Sequence, residues 1–462
     1  MIDLNSAINM PVNTQPVVKA AQEAVVNKSG EVKSEEANRD LLAAKGYQGV
    51  IINKNNKDVI VKMGGLNVQD YATEAKNAVN DIKTRAGQKG QFLNWIGVLP
   101  ENQLKNIDKI YDMAKEAKEG GFTDIAILGI GGSRHTTEAM MKMLGKDSHV
   151  HFYSSIDPES FNRFASNLDL DKTKFLVVSK SGGTLETTVA YEKAKQLLHE
   201  KYGANTDISD RFIAMTDQSA EKSKLRRAVD AGEVKWSGLV HDDVGGRFSI
   251  LDDATMFTMA YAGVSKEDTV KLLKASLAAQ KEFMNPDIKS NEALQLAAFN
   301  TDAKLSGHQK HFSEYFGDAF SGATYWEKQM KNESLKAQIA TDTNVGPGYL
   351  HYNAEADLDP ANKDSFFTFT YVKSDDPATK ALMTGAMTAY KAQHPVTEIV
   401  LKDLSPESIG RFIELKHFET LYTGNMLRQK AGVKEDMEKA LPEVLQPNVE
   451  IYKKEVKKLY KY

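Results

Sequence analysis

Five segments hold most of the side chains able to do chemistry. Val178-Ser179-Lys180-Ser181-Gly182-Gly183-Thr184-Leu185-Glu186-Thr187 gathers four hydroxyls and a lysine around two glycines. A cradle of donors with little side-chain bulk, opening a helix, is the composition of a monophosphate site. It lacks the Gly-Lys-Ser/Thr ending of a nucleotide P-loop, so a triphosphate does not suit it. Leu128-Gly129-Ile130-Gly131-Gly132-Ser133-Arg134 is a second glycine turn. Its free N–H groups and the Ser133 hydroxyl also suit an anion, though a tight strand-to-helix turn needs the same residues. Arg134 stands where a dinucleotide fingerprint needs glycine. Asp243-Val244-Gly245-Gly246-Arg247-Phe248-Ser249 lets an arginine point into a cleft, Gln329 to Lys336 sets Glu333 among polar residues, and Gln446 to Lys453 carries a further acid and lysine. Taken singly, the last three also fit a surface arginine, a solvated helix face and a basic terminal helix.

The elements that must position these segments alternate. Asp124 to Ile130, His149 to Ser154, Phe175 to Ser179 and Arg211 to Met215 read as buried strands. Thr136 to Leu144, Thr184 to Glu200 and Ser219 to Ala231 read as the helices between them. Strand and helix alternating at this pitch predict a parallel α/β sheet, with both glycine loops at strand ends. Helices are expected over 72–85 and 101–118, then from Asp252 to about Met284. After Asn285-Pro286-Asp287 a second α/β unit follows: helices at 291–305, 322–335 and 405–430, strands around Phe367–Tyr371 and Val396–Leu401, and a less readable His308 to Phe316. Residues 1–45 lack an apolar period and read as a mobile extension, with one weak helix around Val17 to Val26.

Composition narrows the chemistry. The 462 residues contain 59 Lys+Arg and 63 Asp+Glu, a net charge of −4, which argues against a nucleic-acid binder. No cysteine is present, which removes disulfides, thiolate metal sites and cysteine nucleophiles and fits a reducing cytosol. Neither a secretory signal nor a membrane span is apparent, so a soluble, cytoplasmic protein is expected.

Taken in order, Gly-Ile-Gly-Gly-Ser, Ser-Lys-Ser-Gly-Gly-Thr-x-Glu-Thr, Val-Gly-Gly-Arg-Phe-Ser, Gln-Met-x-x-Glu-Ser-Leu and Gln-Pro-x-Val-Glu-x-Tyr-Lys resemble the successive signatures of the glucose-6-phosphate isomerase (phosphoglucose isomerase) family. The likeness runs from about Phe92 to Lys458; Asn448 stands where the family has glycine. The resemblance implies an α/β fold of two sugar isomerase (SIS) domains, each a three-layer α/β/α unit with a parallel sheet. It divides the chain into the 1–45 extension, a helical arm at 46–115 packing on the domains, a first, phosphate-binding SIS domain at 116–285, and a second at 286–462 with C-terminal helices. It implies reversible interconversion of glucose 6-phosphate and fructose 6-phosphate, without metal or cofactor, in a homodimer with shared active sites. By position, Gly132, Ser133, Ser179, Lys180, Ser181 and Thr184 would hold the phosphate with help from Gln446. Glu333 would be the base, Arg247 the enediolate stabiliser, and Lys453 a ring-opening or positioning residue.

The family also draws a ring-opening histidine from across the dimer. His351, in Gly346-Pro347-Gly348-Tyr349-Leu350-His351, is the candidate, with His308, His311 and His417 as alternatives. The types suit the chemistry: one carboxylate can move a proton between C2 and C1, and a fixed guanidinium stabilises charge that the ground state lacks. An isomerase acting on an amino sugar phosphate or mannose 6-phosphate would share the phosphate loop but not the Val-Gly-Gly-Arg and C-terminal segments. A sugar-phosphate-sensing regulator would need no Glu333, Arg247 or Lys453.

Overall fold

The computed structural model describes residues 50–52, 59–63, 66–433, 436 and 438–459. The expected extension at 1–45 and its weak helix lie outside the described residues.

The first half builds a five-stranded, wholly parallel sheet from β3 (Asp124–Leu128), β4 (Val150–Tyr153), β5 (Thr173–Val178), β6 (Phe212–Thr216) and β7 (Trp236–Leu239), in the order β4-β3-β5-β6-β7. Every residue of β5 and β6 is buried, the pattern of strands covered on both faces. The chain leaves β3 toward β4 on one side, while β5 lies on the other. Loops at the carboxyl ends of such a pair splay apart and leave a crevice. The β3 loop is Gly129–Gly131 and the β5 loop begins at Ser179, so topology brings the two glycine segments together.

The second half contains β8 (Lys310–Phe316), β9 (Ala340–Val345), β10 (Ser365–Val372) and β11 (Val396–Leu401), all parallel. Two strands from the N-terminal region, β1 (Val50–Ile52) and β2 (Val59–Met63), complete a six-stranded sheet of order β1-β2-β11-β10-β8-β9. They pair antiparallel, β1 on β2 and β2 on β11, so the arm expected to be helical over 46–115 also supplies a sheet edge. Val-Ile-Val-Lys-Met is a β-branched run, which favours the strand. Among the described residues of the arm, α-helix runs from Ala72 to Arg85 and from Val98 to Ala117, preceded by a 3-10 turn at Val68–Tyr71. The long helix expected after Asp252 is two, Asp253–Tyr261 and Lys266–Phe283, broken at Gly263.

A central helix, Pro406–Lys430, ties the halves together. Ser405 caps it by accepting from the Ser408 amide, and Pro406 occupies its first turn. It is buried continuously from Ser408 to Arg428, against helices Lys266–Phe283, Glu292–Leu305 and Ser321–Leu335. Charges inside this packing are paired: Lys416 with Glu327, and Lys331 with Glu419. Tyr315 and Ser313 on β8 also donate to Glu327, the latter at 2.7 Å. Burial alone would raise the Glu327 carboxyl, but Lys416 and Lys331 hold it well below its ordinary value.

Candidate active site

The site is assembled where helix Ser321–Leu335 of the second half crosses helix Gly132–Met143 of the first. The crossing is close because Gly322 has no side chain; a Cβ there would lie 2.6 Å from the Glu138 carbonyl oxygen. At the other end of the same contact Gly132 lies against the backbone of Gly246, leaving no room for a methyl group. The glycine turn of the first sheet therefore abuts the segment that carries Arg247.

Arg247 is fully buried. Its Nε donates to Ser334 Oγ at 2.9 Å, its Nη1 to Glu333 Oε2 at 3.2 Å, and its Nη2 to the Glu443 carbonyl. Trp326 Nε1 donates to the Arg247 carbonyl at 2.9 Å, so both ends of the residue are held. Burial pulls the guanidinium down to about 10, against the pull of Glu333, which still leaves it charged at neutral pH.

Glu333 keeps 22% of its side chain exposed and receives three donors. Arg247 and Gln446 Nε2 reach Oε2, and Gln329 Nε2 reaches Oε1 at 3.0 Å. Gln329 stands one helical turn before Glu333 on the same face. That spacing is visible in the sequence, although nothing there singles out Gln329. The carboxylate is thus held on both oxygens while part of it stays open to solvent.

Most of the residues expected to hold a phosphate lie close together, although Gly132 is not among those lining the cavity they form. Ser133, Ser179, Lys180, Ser181 and Thr184 line one cavity of about 400 Å³ at the carboxyl ends of β3 and β5, joined by Asp217 and Lys222, which the sequence reading did not single out. Ser179 Oγ accepts from the Gly182 amide at 3.1 Å, tightening the loop. Gly182 has φ +60°, and a Cβ there would collide with the Leu225 backbone. Lys180 forms an ion pair with Asp242 at 3.0 Å, which holds the Asp242 carboxyl below its ordinary value.

Other expected residues fall elsewhere. Gln446, expected to help hold the phosphate, sits at Glu333 rather than among the residues lining that cavity. Lys453 lies on the terminal helix Val449–Leu459 and pairs with Glu450 at 2.9 Å, whereas the donors to Glu333 are Arg247, Gln446 and Gln329. His351 is exposed on helix Leu350–Asp357, which follows the carboxyl end of β9. Glu333 belongs to the other end of that strand, because its neighbour Asn332 exchanges hydrogen bonds of 2.8 and 2.9 Å with Thr341. The run of β9 from Thr341 onward is on the order of 13 Å, so one chain does not bring His351 to its own Glu333.

Of the alternative histidines, His311 is buried against Thr368, and burial drives its ring well below its ordinary value. His417 is enclosed by Trp95, Phe248 and Trp326. His308 lies beside Asp364 and Ser365, away from the crevice. Among the described residues, one grouping has metal-ligand spacing: His241, Asp252 and Asp253. Asp252 is bonded to His241 and caps helix Asp253–Tyr261, while Asp253 accepts from Gln103 Nε2 and the Leu239 amide, each at 2.8 Å. These bonds make it a brace beneath the Arg247 segment.

Two parallel-sheet α/β domains, with a hydroxyl-rich loop at the switch point of one and an Arg–Glu pair at their seam, define a protein of the sugar isomerase (SIS) architecture. A family model for phosphoglucose isomerase matches residues 99–344, more than half of the chain. The chain belongs to the phosphoglucose isomerase family. Among curated proteins it is 28% identical over 280 residues to a glucose-6-phosphate isomerase of Exiguobacterium sibiricum, covering 57% of this chain and 60% of that one. It is 27% identical over 276 residues to that of Limosilactobacillus reuteri, covering 56% and 58%. The matches therefore span less than two thirds of those relatives' length. Among solved structures, a glucose-6-phosphate isomerase from Chlamydia trachomatis superposes with TM-score 0.73 at 16% identity, covering 97% of this chain and 95% of that one. A hypothetical protein from Thermus thermophilus also gives 0.73, at 19% identity, covering 86% and 96%. At these identities the two structures establish the shared fold. Among the described residues no helix is long and apolar enough to cross a membrane.

Proposed function

We propose that the protein interconverts glucose 6-phosphate and fructose 6-phosphate, a step shared by glycolysis and gluconeogenesis, in the cytoplasm. The observation that carries this reading is the Glu333 carboxylate, bonded to buried Arg247 and reached by Gln329 and Gln446, at a seam that abuts the glycine turn of the phosphate-binding half. The phosphate loop anchors the substrate away from the reacting carbons, so its binding energy serves orientation. Glu333 takes the proton from C2 and returns it to C1, acting as base and then acid. The enediolate formed between those steps is anionic, and the guanidinium of Arg247 stands ready for that charge without rearranging.

Ring opening is assigned to His351 of a partner subunit, with Lys453 assisting. This accords with the exposure of His351 and its separation from Glu333 within one chain. On this reading the functional unit is a homodimer, and no resident metal or cofactor takes part. A coupled assay following glucose 6-phosphate formed from fructose 6-phosphate tests the proposal: sustained turnover is expected, whereas sugar-phosphate binding without turnover would favour a sensor.

A further inference from the structure

Two lysines line the cavity at the ends of β3 and β5, and their surroundings differ. Lys180 lies in the hydroxyl-rich loop, but its ammonium is engaged by Asp242 at 3.0 Å. Asp242 begins the segment Asp242-Asp243-Val244-Gly245-Gly246-Arg247, so this ion pair runs from the phosphate loop to the segment that carries Arg247. The backbone of Lys180 is pinned as well: its carbonyl accepts from the Asp217 amide and from Thr216 Oγ1, both at 3.1 Å. Lys222 enters the same cavity from the segment after β6, and among the described residues no carboxylate lies within ion-pairing distance of it. It is close enough to Asp242 to act on that carboxyl.

A phosphate entering the cavity meets a Lys180 already paired with Asp242 and an Asp217 that adds negative charge. Drawing Lys180 onto the phosphate would break an existing contact with the segment that carries Arg247; using Lys222 would break no ion pair among the described residues. We propose that the two lysines divide the work: Lys222 supplies the cation to the bound phosphate, and Lys180, held by Asp242, is a positioning residue that braces the Arg247 segment against the phosphate loop. The inference rests on the reading of this cavity as the phosphate site.

The test uses the full chain, inorganic phosphate as the calorimetric probe, and steady-state kinetics. Lys222→Met is expected to weaken phosphate binding about tenfold, the size of a lost charge-assisted hydrogen bond, and to raise KM in step. Its kcat should change less than about threefold, because the lost contact serves substrate and transition state alike. Lys222→Arg should recover most of the affinity. Lys180→Met should do the reverse, with phosphate binding nearly retained and the loss falling on kcat, and Lys180→Arg, which keeps a partner for Asp242, should restore kcat. If the parent binds phosphate and Lys222→Met binds it equally well, or if Lys180→Met carries the larger loss of affinity, the division of labour is overturned while the isomerase reading stands. If the parent itself binds no phosphate, the reading of the cavity falls, and this proposal with it.

Discussion

Gly132 and Gly246 meet backbone to backbone, and no side chain on Gly132 can be accommodated between them. One opens the helix beyond the first glycine turn and the other precedes Arg247, so their contact sets how far the Arg247 guanidinium lies from the first half. The relation is one-sided, since a Cβ on Gly246 would find Gly132 Cα at 3.9 Å, ordinary contact. Gly132→Ala should therefore displace the Arg247 segment and lower turnover by at least about tenfold, a loss of about 1.4 kcal/mol or more. Gly246→Ala should leave thermal stability near that of the parent. Equal melting temperatures for the two variants would contradict this.

Glu333→Gln keeps the shape of the side chain but cannot accept a proton, and its NH2 group cannot accept the hydrogen bond that the oxygen it replaces receives. Turnover should fall by about 10²- to 10⁴-fold, the usual worth of a positioned acid–base group, with substrate affinity largely kept. Arg247→Ala should cost about 10²- to 10³-fold in kcat if it stabilises developing charge. Single-turnover kinetics beside equilibrium binding would separate these effects, and a Glu333→Gln enzyme with parental kcat would remove Glu333 from its role.

The placement of His351 at the far end of β9 from Glu333 predicts complementation. Glu333→Gln and His351→Ala should each be inactive alone. Refolded together at equal amounts, half the dimers would be mixed and each would hold one intact site, so about a quarter of parental activity should return. Recovery of none would mean that His351 does not serve a partner's Glu333.

Glu314 on β8 offers a pH signature in stability. It is wholly buried and accepts from Asn344 Nδ2 at 2.9 Å, and burial pushes its carboxyl from 4.5 up to about 7. Because the folded chain holds this proton more tightly than the unfolded one, the group's contribution is full below about pH 4.5, declines as pH rises toward 7, and is flat above. Glu314→Gln lacks this loss, so its stability relative to the parent should grow by about 3 kcal/mol between about pH 4.5 and 8. Denaturant midpoints at the two pH values would show it, and a pH-independent difference would count against the assignment.

The four paired charges between helices Ser321–Leu335 and Pro406–Lys430 carry a different expectation. Lys416→Met leaves Glu327 ionised and short of a partner inside the protein, and should destabilise by about 3–5 kcal/mol. Replacing Glu327, Lys331, Lys416 and Glu419 together by apolar residues of similar size should cost far less or even stabilise. Urea denaturation of both variants checks the contrast, which disappears if the network is solvated.

Much of the molecule is local enough to be read from its residues. The strands of the first sheet are short apolar runs, and the loop Ser179–Thr184 is a strand end, a pair of glycines and a helix start close together in the chain, so its donors can be read where they occur. The strand Lys310–Phe316 is harder because its polar residues His311, Ser313 and Glu314 are buried, and their hydrogen-bond partners lie on other elements. The same reason limits the site. The sequence alone determines that a hydroxyl-rich glycine loop, an arginine and a glutamate follow one another in that order. Only the tertiary structure decides that Gln446 reaches Glu333 across 113 residues, and that Lys180 is spoken for by Asp242 while Lys222 is not. It also decides that His351 and Glu333 stand at opposite ends of one strand. Spacing along the chain encodes turns and helix faces, whereas the meeting of distant side chains depends on how the helices pack and on the register of the sheets.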